Sequence, residues 1–369
     1  MRIGIDLRLA WYQTAGITKY SLRLLSALVA LDQTNSYVLL QHRKQTTPLG
    51  EGPTVSFARL LTPPHSRFEQ WPFSIETRFL NLDLIHCPDF IPPLHNKIPA
   101  VITVHDLAFL RFPNFVTPAA AHYYGQLEDA VKRASRIIAV SQSTKNDLIE
   151  LIGAPENKID VIYEAADPAF RPISHDQARK MLSASGFDAP ERFILFVGTI
   201  EPRKNLDTLI RAYHKLKRDY DDDLPLLLAG AEGWLSDSVH SLIAELGLKE
   251  SVLFLGKMSD DQVLALYNLA TLLAHPAHYE GFGLTPLEAM ACATPVVCSD
   301  AGSLPEVVGN AALLAPPQDV EAWTIAMHRL ITDAALRAAM AQKGLARARQ
   351  FSWEKAARET QKTYNRAVG

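Results

Sequence analysis

Glu280-Gly281-Phe282-Gly283-Leu284-Thr285-Pro286-Leu287-Glu288 lies between two short apolar runs, Thr271–Ala274 and Pro295–Cys298. Apolar runs of that length read as buried strands, so the segment reads as strand, loop, helix, strand. Thr285, Pro286 and Glu288 have the pattern of the N-cap, first and third positions of the helix, a capping box with proline at its entry. The amides at such a helix start lack intrahelical acceptors and attract an anion, above all a phosphate. Gly281 and Gly283 let the backbone approach a ligand closely. Glu280 stands ahead of the helix in a glycine-flanked loop, where no cap requires it. A carboxylate can accept from two hydroxyls of a polyol at once. An anion site beside a polyol site describes a nucleotide sugar.

The strand–helix alternation runs through the whole chain. In the first half, strands are expected at Arg2–Leu7, Tyr37–Gln41, Leu84–Cys87, Ala100–Val104, Ile137–Val140 and Asp160–Ile162, with helices at Thr18–Leu31, Phe68–Leu80, Pro118–Ala134 and Ser143–Ile152. In the second half, strands are expected at Phe193–Val197, Pro225–Ala229, Val252–Leu255, Thr271–Ala274, Pro295–Cys298 and Ala312–Leu314, again with helices between them. Such alternation implies α/β architecture, with parallel sheets covered by helices on both faces. Two tandem sets imply two Rossmann-like domains, which 369 residues would also suggest. The expected division is 1–170, 171–350 and a terminal helix within 351–369 opened by Ser352. A ligand is expected at the carboxyl ends of the strands, in the cleft between the domains.

A formal net charge of -3 argues against nucleic acid as a partner. Cys87, Cys292 and Cys298 lack metal-type spacing, and a reducing cytoplasmic setting is expected. The N-terminal run carries Asp6 and Arg8, so it reads as a strand rather than a signal peptide. No run of about 18 apolar residues suggests a membrane span. A dinucleotide Gly-x-Gly-x-x-Gly fingerprint is missing, which weakens a dehydrogenase reading.

Three further motifs lie where strands end. Gly198 closes Phe193–Val197, and Glu201-Pro-Arg203-Lys204-Asn205 follows, with Asn205 a plausible N-cap. Two cations at the positive end of a helix repel it, unless an anion is bound there. Gly16 stands between the first strand and its helix, where a backbone amide can reach a phosphate, although a turn alone would also account for it. His105-Asp106 ends Ala100–Val104 and so faces the ligand end of the sheet. Asp221-Asp222-Asp223 reads as a solvated turn, and His275 with His278 as loop residues rather than zinc ligands. Phe109–Phe115 is an aromatic loop, either satellite core or a surface for an acceptor or membrane.

Glu280-x7-Glu288 followed by Ala-Met-Ala-Cys-Ala-Thr-Pro-Val-Val resembles the donor-site signature of retaining, family-4-type glycosyltransferases of the GT-B fold, also called glycosyl transferases group 1. The family often has proline where Thr285 stands and glycine where Ala293 stands. Glu201-Pro-Arg203-Lys204-Asn205 resembles its diphosphate motif, and His105-Asp106-Leu107 resembles its mannosyltransferase branch. At Gly16 the family often shows a second glycine where Thr18 stands and arginine where Lys19 stands. The resemblance implies that Glu280 contacts the transferred sugar and Glu288 the ribose. It implies that Arg203 and Lys204 meet the diphosphate with Gly16, Gly198 and the loop Gly281, Phe282, Gly283 and Leu284. His105 would hydrogen-bond the sugar, and Asp106 would orient His105 or contact the acceptor. The last helix would pack back on the N-terminal domain.

The resemblance of His105-Asp106-Leu107 to the mannosyltransferase branch implies GDP-mannose as the favoured donor. Arginine, lysine and a helix dipole meet the leaving group, so no metal is required and Mg2+ is not expected to be essential. The acceptor would be a glycan or lipid-linked oligosaccharide in cell-surface polysaccharide synthesis, with peripheral contact at the cytoplasmic membrane face. UDP-glucose or a UDP-hexosamine on the same scaffold is the first alternative. A sugar-nucleotide epimerase and an inactive nucleotide-sugar-binding protein are the others.

Overall fold

The computed structural model describes residues 1–12, 16–66, 68–113, 125–233 and 236–369. The chain divides into two compact units, Met1–Glu164 with Ser352–Gly369, and Ala165–Phe351.

The first unit is built on a seven-stranded sheet in the order β3-β2-β1-β4-β5-β6-β7. Its strands are β1 Arg2–Asp6, β2 Ser36–His42, β3 Val55–Leu60, β4 Leu84–Cys87, β5 Ala100–Val104, β6 Arg136–Ala139 and β7 Ile159–Val161. Every pairing is parallel. The second unit holds a six-stranded parallel sheet in the order β10-β9-β8-β11-β12-β13. These strands are β8 Ile194–Val197, β9 Leu226–Ala229, β10 Val252–Gly256, β11 Leu272–His275, β12 Val296–Ser299 and β13 Leu313–Ala315. Strand order reverses between β1 and β4 in one sheet and between β8 and β11 in the other. Such switch points open a crevice at the strands' carboxyl ends, where ligands of doubly wound sheets bind.

Residues of β4, β5 and β9 are buried along their whole length, as expected of parallel strands covered on both faces. Strand β3 is an addition to the expected set. It lies at the sheet edge, pairs with β2 alone and is mostly exposed or half-buried, so it lacks the continuous apolar run that betrays the central strands. The expected helix over 118–134 lies partly outside the described residues; its described part is helical over Leu127–Arg133. The aromatic loop after His105 also runs beyond them from residue 114, while Ala108–Arg111 forms a short helix.

The final helix, Trp353–Val368, is capped by Ser352, whose side chain accepts from the Lys355 amide. It belongs to the first unit. Tyr364 meets His86 Nδ1 at 2.7 Å, and Thr363 donates to Asp160 at 2.9 Å. Cys87, Cys292 and Cys298 are free and buried. Among the described residues no helix is long and apolar enough to cross a membrane.

Candidate active site

In the second unit, Arg203, Lys204 and Glu280 come together over the β8/β11 switch point. The backbone reaches them by two constrained turns. Gly198 leaves β8 at φ +150°, and the amide of Gly198 bonds the Ala229 carbonyl at 2.9 Å. A Cβ on Gly230 would lie 1.9 Å from the Gly198 carbonyl oxygen, so the strand ends pack too closely for any side chain there. Pro202–Lys204 then forms one 3-10 turn. Asn205 follows in the left-handed region at φ +55°. It occupies the N-cap position of helix Leu206–Tyr220 without capping it. Its side-chain amide instead donates to the carbonyls of Pro276 at 3.0 Å and Pro317 at 2.6 Å, tying three loops together.

Glu280 is more enclosed than a glycine-flanked loop suggests, with its side chain 13% exposed. Lys204 donates to Oε1 at 2.5 Å, and Arg203 Nη1 donates to Oε2 at 3.1 Å. Arg203 also donates to the Tyr279 carbonyl at 3.0 Å and to Glu201 at 2.8 Å. Burial works against ionisation of Glu280, but Lys204, Arg203 and the hydrogen bond from His275 outweigh it and hold the carboxyl well below its usual range.

His275, read as a loop residue, is the buried last residue of β11, and its Nε2 lies 2.8 Å from Glu280 Oε1. An ionised carboxylate only accepts, so Nε2 carries the hydrogen. Nδ1 is buried without a hydrogen-bond partner among the described residues. Burial, against the pull of Glu280, lowers the pKa of His275. The ring is therefore a neutral donor fixing Glu280. A second fixture is Gly302-Ser303, at φ +57° for the glycine. A Cβ on Gly302 would meet the Glu280 carbonyl oxygen at 2.8 Å. The Ser303 hydroxyl shares its proton between the carbonyls of Glu280 at 2.9 Å and Phe282 at 2.7 Å.

The helix after Glu280 begins two residues earlier than the capping-box pattern implies. It spans Leu284–Ala291 with Gly283 as N-cap at φ +102° and no side-chain cap. Thr285 is thus a second-position residue, and Glu288 lies deeper in the helix, near the Tyr267 hydroxyl at 3.4 Å. Glycine wins the cap because the chain enters from a left-handed conformation that threonine would not tolerate. The first-turn amides of Leu284 and Thr285 have no intrahelical acceptor, and Pro286 has no amide at all. Gly281 and Phe282 are buried, and the Phe282 ring meets Phe351 edge-on at 5.8 Å, so the phenyl serves packing.

In the first unit, Gly16 is the first residue of helix Gly16–Leu31. A Cβ there would meet nothing within 4 Å, and its φ is not in the left-handed region, so neither packing nor turn geometry among the described residues requires glycine. His105 follows β5, with Nδ1 3.0 Å from Glu164 Oε1 and Nε2 2.9 Å from the Pro88 carbonyl. Glu164, rather than Asp106, holds the ring. Asp106 accepts from the Ala108 amide at 3.0 Å and so starts the short helix behind it. No motif or spacing marks Glu164, which lies 59 residues away from its histidine. At the β1/β4 switch point, Arg8 is 1% exposed and bonds Asp6 at 2.7 Å and Glu69 at 2.6 Å, with its guanidinium over the Phe73 ring. Among the described residues no group of three or more His, Cys, Asp or Glu side chains is placed to hold a metal.

The arrangement is a compensated ionic cluster, two cations against Glu201 and Glu280, beside a helix start whose first amides have no intrahelical acceptor. Two family profiles match the chain: Glycosyltransferase Family 4 over residues 14–170 and Glycosyl transferases group 1 over residues 178–347. O-antigen chain mannosyltransferase B of Escherichia coli is 31% identical over 374 residues, covering 96% of each chain. D-inositol 3-phosphate glycosyltransferase of Salinispora tropica is 35% identical over 288 residues, covering 73% of this chain and 60% of that one. Among solved structures, sucrose-phosphate synthase from Thermosynechococcus elongatus superposes with a TM-score of 0.80 at 22% identity, over 99% of this chain and 98% of that one. The two Rossmann-like units are those of the GT-B fold, and the chain belongs to the family-4-type glycosyltransferases.

Proposed function

We propose that this protein is a retaining glycosyltransferase that moves mannose from GDP-mannose to a glycan or lipid-linked oligosaccharide. The observation that carries the reading is the meeting of Arg203, Lys204 and Glu280 above the β8/β11 switch point. Arg203 forks two oxygens of the diphosphate and Lys204 supplies a point charge, both stabilising the negative charge that develops on the leaving group. The amides at Gly283 and Leu284 extend that field. The diphosphate takes over the two cations, and Glu280 is released to accept from the sugar hydroxyls. In the first unit, Gly16 is assigned a backbone contact to the diphosphate and His105 a hydrogen bond to the transferred sugar. Glu288 is assigned to the ribose. With two cations and a helix start on the leaving group, turnover requires no metal.

The mannosyl donor rests on the His105-Asp106-Leu107 string and on the Escherichia coli mannosyltransferase relative. A UDP-sugar on the same scaffold is the competing reading. The acceptor places the protein at the cytoplasmic face of a membrane, in surface polysaccharide synthesis. The test is a donor panel of GDP- and UDP-sugars, scored by calorimetric binding and by release of nucleoside diphosphate. GDP-mannose is expected to bind tightest and turn over fastest. Preference for UDP-glucose or a UDP-hexosamine would replace the donor, and no binding of any nucleotide sugar would end the reading.

A further inference from the structure

The two nitrogens of His105 face acceptors only. The Pro88 carbonyl oxygen, 2.9 Å from Nε2, can never donate, so Nε2 carries a hydrogen. Nδ1 then faces Glu164 Oε1 at 3.0 Å. Between that pair one proton is shared, and it belongs on the imidazole, because a carboxylic acid is about two units more acidic than an imidazolium in water. The Glu164 side chain is 5% exposed and the His105 ring 19%. Among the described residues His105 is the one hydrogen-bond partner of Glu164. A carboxylate buried for a single partner is costly and contributes little net stability. Such placement is characteristic of groups that set the state of a functional side chain.

Neighbouring residues hold the ring and its backbone as well. Tyr20 meets it edge-on at 4.7 Å, and Tyr20 itself bonds Thr103 at 3.3 Å. The Thr144 hydroxyl donates to the His105 carbonyl at 3.3 Å. Among the described residues the titratable groups around the ring are Glu164, Asp89 beyond Pro88, the adjacent Asp106, Tyr20 and His86. Burial holds the His86 imidazole down to about 3 and pushes the Tyr20 phenol up, so neither changes charge near neutrality. For His105 burial opposes the charge, but the bond to Glu164, its negative charge and the bond to Pro88 outweigh that and raise its pKa.

We propose that Glu164 is a positioning residue for His105, fixing it as a ring that donates from both nitrogens and passes its Nε2–H from the Pro88 carbonyl to a hydroxyl oxygen of the bound sugar. The bond to Glu164 is charge-assisted on both sides, whereas that to Pro88 is not, so the Pro88 bond is the one that exchanges. His105 then acts as a donor and never as a base through Nε2. The inference rests on the assignment of His105 to the sugar.

The test is a proton-detected titration of histidine-labelled full-length protein, with the His105 signal identified by its loss in His105→Gln. His105 is expected to titrate above the ordinary value of about 6.5, and Glu164→Gln to lower that midpoint by one unit or more. Glu164→Asp, which keeps the charge, restores part of the shift and serves if Glu164→Gln does not fold. A His105 midpoint equal in wild type and Glu164→Gln overturns the proposal. In parallel, the alkaline limb of kcat/KM against pH is expected to move down with the same midpoint, since the protonated ring is present only below it. A limb that stays in place while the titration moves also overturns it. If the titration behaves as expected but no donor is turned over, the glycosyl-transfer reading fails and the Glu164–His105 coupling stands.

Discussion

Glu280→Gln separates the two tasks assigned to this carboxylate. The substitution keeps size and one acceptor but removes the charge. Glu280 accepts from Lys204 and His275 on one oxygen and from Arg203 on the other. A glutamine that keeps its oxygen toward Lys204 and His275 turns its NH2 on Arg203. Arg203 retains Glu201 and the Tyr279 carbonyl, so the loss is about one charge-assisted bond, on the order of 1.5–3 kcal/mol. That predicts a melting temperature lower by roughly 3–12 °C, using about 2–4 °C per kcal/mol for a domain of this size. The loss should be full above the usual carboxylate range and should shrink as pH falls through the depressed pKa of Glu280, where the wild-type charge also disappears. Binding of GDP alone should move the other way. With Glu280 ionised, Arg203 and Lys204 are balanced by Glu280 and Glu201; in the variant one positive charge is left over. At roughly 5 Å and an effective dielectric of about 20, one charge is an upper bound of about 3 kcal/mol. Screening and partial exposure reduce this, so about a 5–30-fold tighter Kd, or about 1–2 kcal/mol, is expected by calorimetry. Turnover of the sugar donor should fall about 10²-fold, as for other preorganised electrostatic groups. Unchanged or weaker GDP binding together with near-normal turnover would refute the ionic-cluster account.

Arg203→Ala and Lys204→Ala should each weaken GDP binding by about 1.5–3 kcal/mol and lower turnover, and affinity equal to wild type in both would remove the diphosphate role. Ala293 sits at φ +63° just past helix Leu284–Ala291, where glycine carries no strain, so Ala293→Gly should be neutral to stabilising by up to about 1 kcal/mol in denaturant melts. A clear destabilisation would contradict the strain assigned to that residue. Turnover should persist in EDTA; abolition by chelation with rescue by Mg2+ or Mn2+ would show that cations of the protein do not suffice. GDP should raise the melting temperature more than UDP at equal concentration, and the reverse order would move the donor to a UDP-sugar.

Among the described residues twelve of the thirteen strands were legible, most of them because parallel strands buried on both faces leave apolar runs such as Leu226–Ala229. Val55–Leu60 escaped because an edge strand need not be apolar throughout. In the site, Arg203, Lys204 and Glu280 stood out as charges that local structure could not explain. Their supports did not. His275 ends β11 five residues before Glu280 where a loop was expected, and the parallel pairing of β11 and β12 brings Ser303 to the Glu280 backbone. Glu164 is separated from His105 by two strands of the sheet. The capping-box pattern at Thr285 misled because it weighs side chains, whereas Gly283 takes the cap through its backbone at φ +102°. Asn205 misled in the opposite way: it stands at an N-cap position, yet its side chain is spent on Pro276 and Pro317.

The central claim is transfer of a sugar from a nucleoside diphosphate with its anomeric configuration kept. Proton NMR on GDP-α-mannose with stoichiometric enzyme and no acceptor reads it directly, by following which anomer water releases before mutarotation. The account predicts GDP and α-mannose appearing together. First appearance of β-mannose would contradict retention, and an intact donor across GDP- and UDP-sugars would contradict the transfer itself.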